Sequence, residues 1–248
     1  MKAYKGVITK KELVSELKKH QKADAFLRGT YSKMEGKKFK GCAVGCSLES
    51  VSRLKKIKLE YGDHSRYQDL LGIPLWLARV EDTLFEGISL ERSKSWPVEF
   101  AQAINSGADL EKVKSPFLCF VLRSTLDKFD HSEYPEILKA INTVLNLYES
   151  GEKDPKKFKA AAWAVWDVSA AALPAAKTAA SAADVSDPSS WTVRPWECWA
   201  VAATSVGAWT SSSSAAAAAA RTADVAARAV TEYEKFANHL IVLLKACK

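Results

Sequence analysis

Two cysteines separated by three residues, Cys42 and Cys46 in the segment KGCAVGCSLES, are the first residues whose type and spacing could do chemistry. In a loop their sulfurs could pinch one metal ion, and on a helix they would share a face. His64 follows 18 residues after Cys46. His20 and Asp24, four apart on a preceding helix, could swing over from the other side. Tetrahedral zinc takes four N or S ligands, typically from a closely spaced cysteine pair and a second pair. The metal-ligand candidates are therefore Cys42, Cys46, His64 and His20, with Cys119 or an acidic residue needed to complete an imperfect second pair. No cofactor is expected, with zinc the possible exception. The alternative is that both cysteines are small buried residues chosen for tight packing.

A second group is acidic. Glu81, Asp82 and Glu86 fall on a helix whose apolar face is Trp76, Leu77, Val80, Leu84 and Phe85. Asp82 shares the side of Glu86, while Glu81 borders the apolar stripe. Carboxylates there could act with His64 as a general base or as metal ligands. A solvated helix face is the plainer alternative.

A third group is basic. Residues 1–60 hold 16 Lys or Arg against 6 Asp or Glu, a net +10 in a chain whose total is +7. The candidate binding residues are Lys37, Lys38, Arg53, Lys55, Lys56 and Lys58, with Tyr61 and Tyr67 nearby for stacking on bases. Such charge density suits an anionic partner: nucleic acid, an acidic protein face or a phosphorylated ligand. No zinc finger, RNP-type strand, Gly-rich phosphate loop, G-x-S-x-G or H-E-x-x-H accompanies it.

The elements that must hold these groups read as helices. Thr9 to Glu12 form a capping box, followed by Leu13, Leu17, Ala23, Phe26 and Leu27 at helical spacing, with Gly29 as the closing residue. Residues 30–41 read as a loop and 42–60 as helix. Pro74, Pro97, Pro116, Pro135 and Pro155 each precede a 3.6-residue periodicity, and proline in the first turn loses no intrahelical bond. The expected helices are 74–86, 97–106, 116–128, 135–150 and 155–173. The clearest stripe is Ile137, Leu138, Ile141, Val144, Leu145 and Tyr148.

From about Ala160 leucine gives way to alanine, punctuated by Trp163, Trp166, Trp191, Trp196, Trp199 and Trp209. The W-x-x-W pair recurs after 33 residues, which a helical-hairpin repeat would explain. A Pro- and Ser-rich linker spans 184–195. A last helix starts near Ser212 and should dock on the first half through Phe236, Leu240, Ile241, Leu243 and Leu244. The fold class is all-α: an irregular multi-helix bundle with Ala/Trp-rich helical hairpins packed on a Leu-rich N-terminal part. The expected domains are 1–153, containing the basic segment and the Cys/His region, and 154–248.

At 248 residues the chain can bury a substantial core. Five scattered cysteines, an odd number, argue against a disulfide framework and for reduced thiols. MKAYKGVITKKEL lacks the apolar stretch of a signal peptide, and no run approaches a membrane span. The expectation is a cytoplasmic protein without a membrane partner.

Gly41-Cys42-Ala43-Val44-Gly45-Cys46, then His64 and Tyr67, then Leu71-Gly72-Ile73-Pro74, Trp76-Leu77-Ala78, Glu81-Asp82 and Phe85-Glu86-Gly87 resemble a group of uncharacterised proteins of tailed phages and proteobacterial prophages. Those proteins also tend to carry an Ala/Trp-rich helical tail. The resemblance carries no activity and no residue roles. It implies a mobile-element accessory protein in a bacterial host. The leading expectation is a non-enzymatic binding protein, a counter-defence factor that engages a host macromolecule, nucleic acid or phosphorylated signal through its basic face. A metal- or thiol-dependent enzyme built on His20, Cys42, Cys46, His64 and Glu81, and a structural or assembly role for the alanine-rich helices, are the alternatives. Oligomeric state is not legible.

Overall fold

A computed structural model describes residues 2–127, 135–161 and 215–248. It is an all-α, multi-helix fold whose only sheet among the described residues has two strands. The Trp-rich segment, the 184–195 linker, Cys198 and most of the expected 155–173 helix lie outside the described residues. The chain divides into two compact units, one of Met1–Lys114 with Glu234–Lys248 and the other of Ser115–Tyr233. Composition alone places the change at 154.

The first unit opens with α1 (Lys10–Lys22), and its capping box is formed in full. Thr9 N donates to Glu12 Oε2 at 2.7 Å, and Glu12 N donates to Thr9 Oγ1 at 3.2 Å. The helix stops at Lys22, well before Gly29. Ala23 caps it and Asp24 turns left-handed at φ 50°. Residues 30–41, expected as loop, contain a hairpin of β1 (Lys33–Glu35) and β2 (Lys38–Lys40). Met34 pairs with Phe39 and Glu35 with Lys38, so Met34 and Phe39 share one face of the ribbon. Gly36, at φ 62°, takes the first position of the two-residue turn, where hairpin twist favours glycine.

Helix α2 (Ala43–Lys55) begins at Cys42, whose sulfur accepts from Gly45 N at 3.4 Å, and ends where Lys56 turns left-handed at φ 53°. It is thus shorter than the expected 42–60. Two short helices went unforeseen, α3 (Arg66–Leu71) and α5 (Leu90–Ser93). Between them α4 (Leu75–Gly87) starts directly after Pro74, and α6 (Trp96–Ala103) carries Pro97 in its first turn. Leu13, Leu17, Leu48, Leu71, Ile73, Leu77, Phe85, Trp96 and Phe100 are buried and form the core. The end of the C-terminal helix (Ala215–Ala246) docks on this unit as expected. Asn105 Nδ2 donates to the carbonyls of Lys245 (3.0 Å) and Cys247 (2.8 Å), and Arg92 bridges Glu99 (3.0 Å) and Glu234 (2.5 Å).

In the second unit, α7 (Glu111–Leu126) enters from the first and holds Pro116 in its interior, so proline there does not mark the helix start. Helix α8 (Pro135–Glu149) does start at its proline. Leu138, Ile141, Val144, Leu145 and Tyr148 of the expected stripe are buried, and Tyr148 meets Phe158 with ring centroids 4.8 Å apart. Neither unit contains, among the described residues, a helix long and apolar enough to cross a membrane.

Candidate functional site

The N-terminal end of α2 gathers several of the flagged groups. His64 Nε2 lies 3.0 Å from Asp82 Oδ2 on α4, and His64 Nδ1 lies 3.0 Å from the Gly62 carbonyl. Asp82 in turn faces the Cys42 thiol. One residue earlier, Glu81 points into the core at 1% exposure, where its carboxyl faces the Tyr67 hydroxyl of α3. Tyr67 also faces Ser47, yet neither the Tyr67 hydroxyl nor Glu81 Oε2 makes a well-formed hydrogen bond among the described residues. Trp96 Nε1 donates to the Glu81 backbone carbonyl at 3.1 Å, fixing α6 against α4 at this point.

Burial governs the protonation chemistry here. It pushes the Glu81 carboxyl well above the carboxylate range, against the pull of Tyr67, and nearby Asp82 adds to the rise. Tyr67 is pushed up by burial and then by Glu81. The Cys42 thiol is pushed up by burial and by Asp82, and the Cys46 thiol by burial and Glu49. A nucleophilic cysteine needs a depressed pKa and access. Cys42 and Cys46, 1% and 0% exposed, have neither, so both behave as packing residues.

The four metal-ligand candidates do not converge. Cys46 Sγ donates to the Gly41 carbonyl at 3.4 Å. His20 Nε2 sits 3.0 Å from Glu49 Oε2 and 3.2 Å from Ser50 Oγ, between the rings of Phe26 and Phe39. Cys42 and His64 share a neighbourhood through Asp82, and Cys46 and His20 share one through Glu49. Asp24, past the end of α1, is exposed and approaches Lys94 at 3.9 Å instead of joining His20. Cys119 belongs to the second unit. No group of three or more His, Cys, Asp or Glu side chains among the described residues is arranged to hold a metal ion. Glu86 accepts from Gly29 N at 3.0 Å and so anchors the loop before the hairpin.

The six basic candidates fall into two sets. Arg53 pairs with Glu16 and, at 3.6 Å, with Glu49, while Lys55 reaches Glu12 at 3.5 Å. These contacts tie α2 to α1, so Arg53 and Lys55 serve the fold. Lys37, Lys38, Lys56 and Lys58 are exposed and make no ion pair among the described residues. On the hairpin, by contrast, Lys33 and Lys40 both hold Glu35 at 3.1 Å. Phe39 packs against Tyr61 at 5.2 Å between centroids, which brings the ribbon against the loop that carries Lys56 and Lys58. Of the two tyrosines expected to stack on bases, Tyr67 is buried and Tyr61 is half-buried against Phe39.

The chain matches no protein-family model, no curated protein and no solved structure. The site must therefore be read from its own geometry.

One residue outside every sequence motif belongs to it. Tyr31 is 43% exposed, and Gly41, Gly45 and Gly62 all press against it. A Cβ at Gly41 or Gly45 would collide with the Tyr31 carbonyl oxygen, and one at Gly62 would lie 2.9 Å from ring carbon Cδ2. The signal in the sequence was Gly45 itself. A glycine in the first turn of a helix, where no turn requires it, marks close approach of another backbone.

Proposed function

We propose that this protein is a non-enzymatic accessory binding protein that engages an anionic partner through Lys37, Lys38, Lys56 and Lys58. The observation that carries the reading is the division of the basic residues. Arg53, Lys55, Lys33 and Lys40 are neutralised within the chain, whereas these four lysines are exposed on the hairpin and the adjoining loop and form no ion pair among the described residues. A charge left unanswered at a surface that also exposes Met34 (61%) and Ile57 (37%) is suited to a partner carrying negative charge and some apolar area. The burial of both α2 thiols weighs against a thiol-dependent enzyme. The mobile-element setting comes from the resemblance of residues 41–87; the counter-defence role, with a host macromolecule as partner, is proposed as the task such a setting would give an accessory protein.

Heparin affinity tests the anionic reading. The variant Lys37→Glu/Lys38→Ser/Lys58→Glu should elute at clearly lower salt than the wild type, because fewer counterions are released on binding. Lys56 is left in place because its left-handed backbone makes substitution a stability question. Elution of the variant at the wild-type salt concentration would refute the assignment.

A further inference from the structure

We infer that His64 is a pH-sensitive clasp: as an imidazolium it ties the loop of residues 57–65 to α4 and steadies the Tyr31 ring, and on losing a proton it lets that corner of the first unit open. The inference rests on the geometry of this corner and is independent of the anionic reading above.

Both ring nitrogens of His64 face oxygens that accept. Nδ1 lies 3.0 Å from the Gly62 carbonyl, and Nε2 lies 3.0 Å from Asp82 Oδ2. Neither a carbonyl nor an ionised carboxylate can donate, and a neutral imidazole carries a single N–H. The doubly protonated ring is the form that satisfies both contacts. The side chains of His64 and Asp82 are only 13% and 15% exposed, so water is a poor substitute for a lost bond.

The surroundings of Asp82 favour a cation on its free side. Asp82 Oδ1 is buried and makes no well-formed hydrogen bond among the described residues. The Cys42 thiol faces the carboxylate from α2, and Asp82 adds to the rise that burial imposes on Glu81 and Glu86 of its own helix. Asp63, the acid next to His64 in the loop, turns the other way: it accepts from Ser65 N at 3.1 Å and pairs with Arg66 at 3.5 Å. Tyr31 meets the imidazole edge-to-face at 5.5 Å and 88°, and Arg79 of α4 lies close enough to act on the Tyr31 hydroxyl.

Three segments therefore meet at one ring. Gly62 gives His64 its carbonyl and also lies against Tyr31, where a Cβ would be 2.9 Å from Cδ2. Deprotonation leaves one nitrogen with a lone pair aimed at an acceptor. The loop then loses its hold either on α4 or on its own turn at Gly62, and Tyr31 loses a fixed neighbour. The clasp is closed on the acid side of the His64 titration and opens as pH rises through it.

The test is an NMR pH titration of the full chain labelled with nitrogen-15. The imidazole nitrogens give the midpoint of His64, assigned by the loss of its signals in His64→Gln. Amide protection at Asp63, Arg66 and Tyr67, corrected for the general rise of exchange with pH, should fall about tenfold through that midpoint, the loss expected for one charge-assisted hydrogen bond. The Tyr31 ring signals should move with the same midpoint, while protection at Phe100 and Ala101 in α6 stays constant. His64→Gln and Asp82→Asn should each abolish the pH dependence of the loop, with α6 protection showing that the unit remains folded. Loop protection that stays level through the His64 midpoint overturns the inference, and the wild-type titration decides this even where a variant fails to fold. So does opening that persists in His64→Gln, which would belong to the buried Glu81 carboxyl instead.

Discussion

Helix α2 places two chemically rich clusters at its two ends and treats them in opposite ways. At the N-terminal end, Cys42, Cys46, Tyr67 and Glu81 are buried to 1% exposure or less, and their polar atoms face one another or backbone carbonyls. At the C-terminal end, the helix gives way to exposed Lys56 and Lys58 after Arg53 and Lys55 have been matched with Glu16, Glu49 and Glu12. Residue type is therefore a poor guide to availability. The cysteines and the acid are the more reactive groups in isolation, yet desolvation raises every one of them toward its neutral form. The lysines are ordinary, but water reaches them and nothing in the described structure compensates them.

The most disruptive way to probe this contrast is to reverse a cation that serves the fold. Arg53→Glu would set a carboxylate against Glu16, whose side chain is only 5% exposed, and against Glu49 at 16%. Breaking a buried ion pair costs about 3–5 kcal/mol, and the half-exposure of Arg53 together with the remaining Lys19–Glu16 contact (2.6 Å) brings the expected loss to about 3 kcal/mol. Urea denaturation measures it. A loss below about 0.5 kcal/mol, the level of an ordinary surface substitution, would place Arg53 with the unpaired lysines and dissolve the distinction. Next in size is Gly45→Ala at the other end of the helix. The added methyl meets a backbone carbonyl that no rotamer change can move aside, so overpacking should cost about 2 kcal/mol despite alanine's better helix propensity.

Much of the scaffold was legible because it is local. The Thr9–Glu12 box, the helices after Pro74 and Pro135, and the buried stripe of α8 each depend on residues within one or two turns of each other. The hairpin escaped notice because three-residue strands of KME and KFK carry almost no apolar alternation, leaving only the Gly36-Lys37 turn as a signal. Pro116 misled because a proline can sit inside a helix that tertiary packing supports. The site was less legible than the fold for a physical reason. Arg53 looked available in the sequence because its partner Glu16 lies on another helix, 37 residues earlier. Asp82 rather than Glu81 receives His64 because the turn of α4 buries position 81 and leaves position 82 at the rim. Tyr31 carries no motif of its own, and its place is marked only by the glycines at 41, 45 and 62 that leave room for it.

Glu81 offers a pH-dependent test of the buried cluster. Its folded pKa is raised by burial above an ordinary value near 4.5. At pH below that value both folded and unfolded chains hold the proton, and the carboxyl imposes no penalty specific to the fold. As pH rises through the ordinary range, the unfolded chain releases its proton while the fold keeps it, so the contribution to stability falls with rising pH. Glu81→Gln removes the titration. The variant should be more stable than wild type at pH 7, and the advantage should vanish by about pH 4. Equal pH profiles for the two proteins between pH 4 and 8 would mean that Glu81 is solvated and the cluster open.

The smallest expected effect completes the contrast from the lysine side. Lys37 occupies the hairpin turn and Lys58 the loop after α2, both exposed and neither paired among the described residues. Reversing both, in Lys37→Glu/Lys58→Glu, deletes no contact and creates no buried charge, so stability should change by less than about 0.5 kcal/mol. Lys38 is excluded from this pair because it stands opposite Glu35 in the ribbon, where a second carboxylate would add cross-strand repulsion. The same variant should nevertheless lose retention on heparin. Loss of binding at constant stability is the signature of charges held for a partner. Loss of stability comparable to that of Arg53→Glu would instead mean that these lysines are matched within the chain and that both ends of α2 serve the fold alone.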